Sequence, residues 1–565
     1  MAATYRPQVV RTRRKQMYFP LTGAEIDRLR HFGETRRYAD GDYLFHAGET
    51  GFGIAVILSG KAKIYRRDGL GGEEAIVSYR PRHFIGEVGQ LSGRASFVDC
   101  RAEGKCEALV IPPAGLRALV IAEAELGERI MRSLILRRMG LVETGVGGPV
   151  LIGPPEAPGL VRLRNFLLRN AIPHRVLDPA TEHEADALMA CAKPTREQLP
   201  LVLCPNGDLL RNPSERELAE CIGILTHLDP YKTYDVAVVG AGPAGLATAV
   251  YAASEGLSVA VLETRVFGGQ AGASSRIENY LGFPTGISGQ ALAGRAFVQA
   301  QKFGAEVVAP ASVEGIDCNQ PENYVLRLMC GDQVRARTVV IASGAEYRRP
   351  DVPGLKEAES DGVHYWASPV EGQLCQGHEV ALVGGGNSAG QAAVYLASKA
   401  RKVWMLVRRE GLEATMSKYL IDRIKAQPNI ELLPFTEIEG LEVDGAGALC
   451  SIAWRNTKTG KGAAHPLRHL FLFIGADPCT EWMEGCDAAV DAKGFVLTGQ
   501  AARPGEASPA PLMTSLDGVF AIGDVRSGST KRVAAAVGEG AAVVAQIHAH
   551  LAGLDARQER ERVSA

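Results

Sequence analysis

The sequence predicts a multidomain chain with an α+β β-roll, a small α/β domain and two larger α/β domains. At about 150 residues per domain, 565 residues suffice for roughly four domains. Short segments of alternating polarity fill the first part, whereas the second half holds two apolar strands that each run into a glycine loop and a helix. Glycine, at 64 residues, exceeds its usual share of about 7%, which fits a backbone that turns sharply and approaches ligands closely.

Composition limits the classes of function. The 62 Lys and Arg residues against 64 Asp and Glu leave a formal net charge of -2, so the chain lacks the basic charge of a nucleic-acid binder. A hydrophobic content of 46% is enough for large cores. No apolar run approaches the roughly 18 residues of a membrane span, and residues 1–16 lack the apolar stretch of a signal peptide. We therefore expect a cytoplasmic protein with no membrane span and no nucleic-acid partner.

The first two domains are predicted from periodicity. Over residues 20–115, apolar and polar residues alternate between glycine turns at the spacing of short strands, and helical spacing follows to residue 138. The first domain, residues 1–146, is therefore a β-roll closed by helices. The second domain, residues 147–230, follows a β-α-β-α-β-β-α order.

A strand, glycine loop and helix open the third part of the chain. Residues 235–239 read D-V-A-V-V, a strand that is apolar after its first residue, as in a buried parallel sheet, and residues 240–245 read G-A-G-P-A-G. A second strand ends at Glu263, about 20 residues after the loop, where a ribose hydroxyl needs an acceptor. This context predicts a Rossmann-like domain. The tight turn, the backbone approach to a pyrophosphate and the close helix packing fall at Gly240, Gly242 and Gly245.

The same pattern recurs over residues 379–389. Its next strand, residues 402–407, is followed by Arg408 and Arg409 instead of an acid. Two guanidinium groups at this place suit the 2′-phosphate of NADPH and favour it over NADH. A solvated basic strand end is the alternative. Two dinucleotide folds in one chain imply two dinucleotide cofactors.

Further segments carry a resemblance to a known family. Residues 232–550 resemble the low-molecular-weight thioredoxin reductase family of pyridine-nucleotide flavoproteins. Both glycine loops contribute to the resemblance, and its other segments are residues 268–270 with Asn279, 342–345, 473–475, 518–524 and 531–534.

The resemblance implies an FAD-binding domain of residues 231–353 and 467–565, with an NADPH-binding domain, residues 354–466, inserted into it. Asp524 would accept from the FAD ribitol, and members of the family are usually homodimers. No metal ligand is assigned. The implied FAD contacts are Gly240, Gly242, Pro243, Ala244, Gly245, Glu263, Gly269, Gln270, Asn279, Ala342, Gly344, Gly523, Asp524, Arg532 and Val533, and the implied NADPH contacts are Gly384, Gly386, Asn387, Ser388, Ala389, Arg408 and Arg409.

The chain departs from this family at the redox centre. The family carries a CxxC disulfide where this chain has Trp366, Ala367, Ser368 and Pro369. Because thiol–disulfide exchange needs an attacking thiolate and a resolving partner, this segment cannot reduce thioredoxin directly. Glu371 is either the family's catalytic acid or a solvated surface carboxylate. The eleven cysteines are scattered, and we expect them to be reduced, mostly buried thiols.

The second domain resembles a thioredoxin or glutaredoxin fold. Its active-site turn would be residues 153–159, which lack cysteine, and Pro200 is the candidate cis-proline. Without thiols, we expect this domain to shape the fold or a docking surface.

Residues 20–140 resemble the cyclic-nucleotide-binding family. Its phosphate-binding cassette matches residues 84–91, with Gly86 and Glu87 at the ribose-binding positions. The arginine that pairs with the cyclic phosphate falls at Ser96 here, and Arg94 lies two residues away. The domain is either a cyclic-nucleotide site or a ligand-free interaction or dimer module.

Three functions remain open at this point. The leading hypothesis is an NADPH-dependent FAD oxidoreductase that passes electrons to an external acceptor, such as ferredoxin, flavodoxin, a quinone or a thioredoxin-like protein. The second is a thioredoxin-disulfide reductase that uses cysteines outside any motif. The third is a sensor in which flavin state or a cyclic nucleotide changes the contacts of the first domain.

Overall fold

The structure is a computed structural model that describes residues 8–67, 73–86, 88–92, 95–144, 148–225, 228–274, 276–318, 323–359, 361–445 and 447–564. Two compact units are present. The first lies within residues 1–232, 252–266 and 296–312, and the second within residues 233–251, 267–295 and 313–565. Across the described ranges, no helix is long and apolar enough to cross a membrane.

The N-terminal part is a six-stranded antiparallel β-roll, with two α-helices before its first strand and two after its last strand. The order is β1-β6-β3-β4, with β2 paired to β6 and β5 to β3. Alternation along β3 divides the core, because Ile54 and Val56 join one apolar cluster whereas Ala55 and Ile57 join another. The elements are α1 (Gln8–Met17), α2 (Gly23–Leu29), β1 (Glu34–Tyr38), β2 (Tyr43–Phe45), β3 (Ile54–Arg67), β4 (Glu73–Tyr79), β5 (Phe84–Ile85), β6 (Asp99–Ile111), α3 (Pro113–Ala122) and α4 (Ala124–Thr144).

The following segment has the predicted β-α-β-α-β-β-α order. Its sheet order is β10-β9-β7-β8, with β7 and β8 parallel and the other pairs antiparallel. The Leu199–Pro200 peptide bond is cis, as predicted. The elements are β7 (Val150–Ile152), α5 (Pro158–Arg169), β8 (Arg175–Leu177), α6 (His183–Ala192), β9 (Leu201–Leu203), β10 (Leu209–Arg211) and α7 (Glu215–Cys221).

The third part opens with the predicted strand, glycine turn and helix. Strand β11 pairs in parallel with β16, which also pairs with β15, and β15 pairs with β14. Strands β12 and β13 pair in parallel. The elements are β11 (Thr233–Val239), α8 (Pro243–Ser254), β12 (Val259–Leu262), α9 (Gly269–Ala273), α10 (Gly289–Lys302), β13 (Glu306–Val308), β14 (Val313–Asp317), β15 (Tyr324–Leu328), β16 (Gln333–Ile341) and β17 (Ala345–Tyr347).

A second parallel sheet follows in the order β18-β25-β19-β20-β21, beside a three-stranded meander of β22, β23 and β24. Its elements are α11 (Leu355–Ala358), β18 (Val363–His364), α12 (Pro369–Leu374), β19 (Glu379–Val383), α13 (Asn387–Ala397), β20 (Lys402–Val407), α14 (Lys418–Lys425), β21 (Ile430–Pro434), β22 (Thr436–Val443), β23 (Leu449–Asn456), β24 (Gly462–His465) and β25 (Leu470–Leu472).

The chain then returns to the first Rossmann-like sheet. Strand β26 (Ala476–Pro478) pairs antiparallel with β17, and β27 (Val519–Ala521) pairs in parallel with β16. The long helix α15 (Val533–Ser564) ends the chain. One parallel sheet is therefore inserted between β17 and β26, and it includes β25, which lies beyond the predicted boundary of the inserted domain at residue 466.

Two disulfides correct the expectation of reduced thiols. Cys204 bonds to Cys221 and Cys318 bonds to Cys486, with Cα atoms 6.0 Å apart in each pair. These pairs are 17 and 168 residues apart in sequence, so no short spacing motif reveals them. The other seven cysteines are free, and three of them are buried.

Candidate functional site

The first glycine loop joins β11 to α8 and is held by close backbone packing. Gly240 has φ of +106°, and a Cβ added there would lie within 3.0 Å of the Ala342 carbonyl oxygen. A Cβ at Gly245 would lie within 3.0 Å of the Gly240 carbonyl oxygen, so the helix begins directly against the turn. A Cβ at Gly242, by contrast, would have nothing within 4 Å. The loop therefore leaves open space in front of the first turn of α8, which fits a pyrophosphate.

Two further predicted segments reach this loop. The Gly268 amide donates to the Ala241 carbonyl oxygen (2.7 Å), and a Cβ on Gly269 would lie 3.1 Å from Gly242 Cα. The Gln270 side-chain amide donates to the Ala345 carbonyl oxygen. Residues far apart in sequence thus line one cradle around this loop.

Residues 518–524 enter the same cradle at Gly523, where an added Cβ would lie 3.0 Å from the Ala244 side chain. The Gly523 amide donates to Glu539 Oε2 (2.6 Å), and the other oxygen of Glu539 pairs with the Arg526 guanidinium (2.5 Å). Sequence reasoning missed Glu539. Its signal was the G-E-G triplet in α15, because a Cβ on Gly540 would lie within 3.0 Å of the Ala244 carbonyl oxygen.

Asp524 follows the Gly523 turn and is half-buried. Burial raises the pKa of its carboxyl group, and the nearby Glu539 carboxylate raises it further, whereas the Lys531 ammonium lowers it. The Lys531 ammonium donates to the Asp524 carbonyl oxygen and to Ser529 Oγ (2.8 Å). Asp524, Lys531 and the Gly523 turn therefore form one polar cluster after the end of β27.

The second glycine loop repeats the backbone solution of the first. Gly384 has φ of +141°, and its added Cβ would lie within 3.0 Å of the Phe473 carbonyl oxygen. A Cβ at Gly386 would have nothing within 4 Å. Thr415 Oγ1 donates to the Gly385 carbonyl oxygen (2.7 Å), and Asn387 Oδ1 accepts from the Ser417 amide (2.7 Å). The loop is thus fixed by the 415–417 turn, which the sequence did not indicate.

Arg408 and Arg409 lie at the end of β20 and are exposed. The preceding Val407 is adjacent to the loop, since its Cγ1 would be 3.2 Å from a Cβ on Gly385. Among the described residues, neither guanidinium has a side-chain hydrogen bond or an ion pair. Two uncompensated cations next to the open end of a dinucleotide loop fit a phosphorylated ribose.

Tyr347 lies near residues of both loop regions and was not predicted. Its ring packs edge-on against Phe473, whose carbonyl oxygen faces Gly384, with ring centroids 5.7 Å apart. Burial raises the pKa of the phenol, the Asp524 carboxylate adds to that shift, and Ser388 lowers the pKa. The side chain therefore lies close to the second glycine loop and to Asp524.

Residues 366–369, which the resemblance places at the family's CxxC, lead into the start of a helix. Ser368 caps α12, its hydroxyl accepts from the Val370 amide (3.2 Å), and Glu371 accepts from the Ser368 amide (2.9 Å). The Trp366 indole donates to the other oxygen of Glu371 (3.1 Å). Glu371 is 2% exposed, so the interpretation as a solvated surface carboxylate is wrong. The S-x-x-E pattern of a capping box was visible in the sequence.

The other residues that the resemblance implies as cofactor contacts differ in burial. Glu263 follows β12, is half-buried, and accepts from the Arg265 amide (3.2 Å). Ala389 is fully buried in the second Rossmann-like core. The others are the half-buried Pro243, Gly344 and Val533, the buried Ala244 and Ala342, and the exposed Asn279 and Arg532.

The β-roll site is described in part. Gly86 follows β5, and Ser96 is 6% exposed, with its hydroxyl donating to the Val98 carbonyl oxygen (2.9 Å). Glu87 and Arg94 lie outside the described residues. The residue that the resemblance places at the family's arginine is therefore a buried serine with an internally bonded hydroxyl.

Comparison with known proteins agrees with this geometry. Residues 234–540 match the pyridine nucleotide-disulphide oxidoreductase family, and residues 35–123 match the cyclic nucleotide-binding domain. The chain is 33% identical to thioredoxin reductase of Mycolicibacterium smegmatis over 310 residues, which are 55% of this chain and 94% of that protein. Its structure is similar to that of Lactococcus lactis thioredoxin reductase in the FR conformation, with a TM-score of 0.52, 27% identity, and coverage of 57% of this chain and 100% of that one. The structure of T. acidophilum thioredoxin reductase is similar with a TM-score of 0.51 and 28% identity, and the match covers 56% of this chain and 98% of that one.

Two strand–glycine loop–helix units lie in one compact unit of the chain, which is the arrangement of an oxidoreductase that binds two dinucleotides. The chain belongs to the pyridine nucleotide-disulphide oxidoreductase family. It is a thioredoxin reductase-like, NADPH-dependent flavin oxidoreductase with an N-terminal cyclic nucleotide-binding domain, and its cofactors are FAD and NADPH.

Proposed function

We propose that this oxidoreductase passes electrons from NADPH to an external acceptor that is not a disulfide. When bound, FAD supplies the redox chemistry, since it accepts a hydride and releases electrons singly or in pairs. The observation that carries the proposal is the capping box at residues 366–371. Where the family has its dithiol, this chain has a buried structural cap without sulfur. Ferredoxin, flavodoxin and quinones are the acceptor classes to test.

Cys375 does not replace the missing pair. It is the C-cap of α12, is 0% exposed, and packs in the core of the second Rossmann-like domain. Burial raises the pKa of its thiol to about 12, and the Glu371 carboxylate adds to the shift. A neutral, buried thiol is not an attacking nucleophile. This environment supports electron transfer without a protein thiol.

We propose that the first cradle holds FAD through backbone contacts at residues 240–245, 268–270 and 342–344 and through the Gly523–Asp524 turn. Open space at Gly242 and the positive end of α8 support a pyrophosphate there. For NADPH, the open space at Gly386 and the free cations of Arg408 and Arg409 support a matching site with a 2′-phosphate.

The Cys318–Cys486 disulfide supports a second candidate, reduction of a thioredoxin-like disulfide through cysteines outside any motif. Cys318 follows β14, and Cys486 follows a short 3-10 helix at residues 481–483. Both belong to the same compact unit as the two cradles. A dithiol form of this pair would supply the attacking and resolving thiols that exchange requires.

Anaerobic NADPH titration of the FAD-loaded full chain separates the two candidates. One equivalent for complete bleaching, followed by turnover with quinone, ferricyanide or ferredoxin and none with thioredoxin disulfide, is expected. The matched variant Cys318→Ser/Cys486→Ser should bleach and turn over identically. A second equivalent that disappears in this variant, together with thioredoxin-dependent NADPH oxidation, would overturn the proposal in favour of the second candidate.

We also propose that residues 147–230 are a thioredoxin-like domain that serves in docking or folding. Its sheet order and its cis-Pro200 support this fold, and its 153–159 turn has no thiol. For the β-roll, the match to the cyclic nucleotide-binding domain supports cyclic-nucleotide binding. The Ser96 hydroxyl is already bonded within the protein, so we expect it to contribute little to binding of the cyclic phosphate. Calorimetric titration with cyclic nucleotides tests this, and the absence of heat at millimolar ligand would leave the interaction-module hypothesis.

A further inference from the structure

The Cys204–Cys221 disulfide lies in the small four-stranded domain, away from the turn where a thioredoxin fold would carry thiols. Cys204 directly follows β9, and Cys221 is the last residue of α7, so the bond anchors the end of a helix to the end of a strand. Helix α7 has seven residues. Because so short a helix is marginal alone, its C-terminal end depends on such anchors.

The two sulfurs differ in access. Cys204 is 1% exposed, whereas Cys221 is half-buried at the edge of the apolar cluster beneath it. Exchange requires in-line approach of a thiolate to one sulfur of the disulfide. An external reductant therefore attacks at Cys221, and Cys204 is the leaving group.

The residues after Cys221 pack against the β-roll. Ile222 and Ile224 are buried in one apolar cluster with Phe97, which precedes β6. A Cβ on Gly223 would lie 2.8 Å from the Ala95 Cβ. The end of α7 is thus in direct contact with residues 95–97 of the β-roll, within the same compact unit.

The contacted segment is held by few backbone bonds. The Ser96 amide donates to the Glu49 carbonyl oxygen (2.9 Å), and the Gly48 amide donates to the Ser96 carbonyl oxygen (2.8 Å). Residues 95–97 are therefore clamped between the 46–49 turn on one side and residues 222–224 on the other. Looser packing on one side should increase local opening of these hydrogen bonds.

We propose that Cys204 and Cys221 form a reversible dithiol–disulfide site, and that its reduction loosens the contact between residues 222–224 and residues 95–97 of the β-roll. The reductant is a dithiol, either a small molecule or a protein. This inference does not rest on NADPH oxidation or on cyclic-nucleotide binding.

The reaction is balanced as a dithiol–disulfide exchange. One thiolate of the reductant bonds to Sγ of Cys221, the bond between Cys221 and Cys204 breaks, and Cys204 leaves as a thiolate that takes up a proton. The second thiol of the reductant, after losing its proton, then attacks its own sulfur in the mixed disulfide, and Cys221 leaves and is protonated. The dithiol becomes a disulfide, and the protein gains two thiols.

Differential alkylation with peptide mass spectrometry, combined with hydrogen exchange on the full chain, tests the proposal. After mild oxidation, Cys204 and Cys221 should resist alkylation, and dithiothreitol should expose both together. Exchange of the Ser96 and Gly48 amides should then rise about tenfold or more, with little change in β11 and β16. The double variant Cys204→Ser/Cys221→Ser should exchange like the reduced protein under all conditions. Cys318→Ser/Cys486→Ser is the matched control and should keep the full response.

Three results would overturn the proposal. One is alkylation of both cysteines after oxidation, which would mean that no bond forms. Another is reduction of the pair with exchange at residues 95–97 changed less than twofold. The third is a loss of protection in β11 and β16 as large as that at residues 95–97, because the bond would then be a general staple of the fold. The wild-type comparison decides the matter even if the double variant does not fold.

Discussion

The two glycine loops share one backbone design. At the first position of each, Gly240 or Gly384, φ is positive and an added Cβ would lie within 3.0 Å of a carbonyl oxygen, that of Ala342 or Phe473. Ala342 follows the end of β16 and Phe473 follows the end of β25, so both carbonyls belong to segments that connect the two parallel sheets. Each loop is therefore sealed by the segment that connects the two domains.

The loops differ in the charge that follows the next strand. Strand β12 is followed by the acid Glu263, whereas β20 is followed by the exposed Arg408 and Arg409. The third positions, Gly242 and Gly386, are equally open. The comparison teaches that backbone packing creates a place for any dinucleotide, and that side chains one strand further on select which dinucleotide binds.

The largest expected effect separates a packed glycine from an open one. Gly245→Ala forces a Cβ to within 3.0 Å of the Gly240 carbonyl oxygen, so we expect loss of FAD and destabilisation by about 4 kcal/mol or more. Gly242→Ala adds a methyl where no protein atom lies within 4 Å, so the apoprotein should keep its melting temperature and lose FAD affinity alone. Flavin-to-protein ratio and thermal unfolding measure both. Full FAD retention by Gly242→Ala would refute the assignment of that space to a cofactor.

The second prediction tests the selecting charges. Replacing Arg408 and Arg409 by Ala should lower kcat/KM for NADPH by about 10- to 100-fold and leave NADH unchanged, since a hydrogen bond to a charged group contributes about 1.5–3 kcal/mol. Arg401→Ala is the matched control, because Arg401 precedes β20 at its other end and pairs with Glu379 (3.1 Å). An equal loss of kcat/KM with NADPH and NADH would mean that the arginines do not recognise the 2′-phosphate and form a general basic surface.

Both loops could be predicted because their signal is local. A strand, glycines and a helix in succession need no knowledge of distant residues, and the positions of Gly240 and Gly384 followed from that pattern alone. The cap at Ser368 and Glu371 was also local, as an S-x-x-E sequence before a helix. The alternatives for Glu371, a catalytic acid or a surface carboxylate, were chosen from its position in the family, and the capping role that the S-x-x-E sequence indicates was not considered.

Long-range pairings could not be predicted in this way. Cys318 meets Cys486 across 168 residues, and the Tyr347 ring meets Phe473 only when the second domain folds against β17. The G-E-G triplet in α15 indicates a close approach of that helix, but it does not show that Glu539 accepts from the Gly523 amide. Such contacts depend on tertiary packing, which period and composition do not specify.

The third prediction tests the bracing of the first cradle by Glu539, in place of which the second loop has the 415–417 turn. Glu539→Ala leaves the Gly523 amide and the Arg526 guanidinium without their acceptor, so FAD affinity should fall by about 1–3 kcal/mol. It should also lower the pKa of Asp524, because the Glu539 carboxylate raises it. Glu539→Gln keeps an acceptor for the amide and should lose less. Apoprotein reconstitution followed by flavin fluorescence measures the affinity, and equal losses in the two variants would contradict the bracing role.

The smallest effect distinguishes the cores under the two loops. Burial lowers the pKa of His364 to about 4 and that of His469 to about 3, and the neighbouring His364, His378 and Arg468 charges add to the shift of His469. Unfolded histidine titrates near 6.5. Below about pH 6.5 the unfolded chain binds protons that the folded chain excludes, so stability should fall until the folded pKa values are reached. We expect a loss of about 2 kcal/mol between pH 6.5 and about 5.5, with about 1 kcal/mol from each histidine.

The loss should be confined to the second Rossmann-like domain, whose strand β18 contains His364 and whose strand β25 directly follows His469. Trp404 and Trp454 lie in that domain with ring centroids 5.9 Å apart, whereas Trp482 lies outside it. In a Trp482→Phe background, tryptophan fluorescence therefore reports unfolding of the second domain by urea, and bound flavin reports the first domain. In the variant His364→Gln/His469→Gln, the urea midpoint by tryptophan fluorescence should depend less on pH, and the flavin midpoint should be unchanged. If both midpoints of the wild type moved together in acid, the two domains would unfold as one unit, and the independent design of the two loops would not extend to their stability.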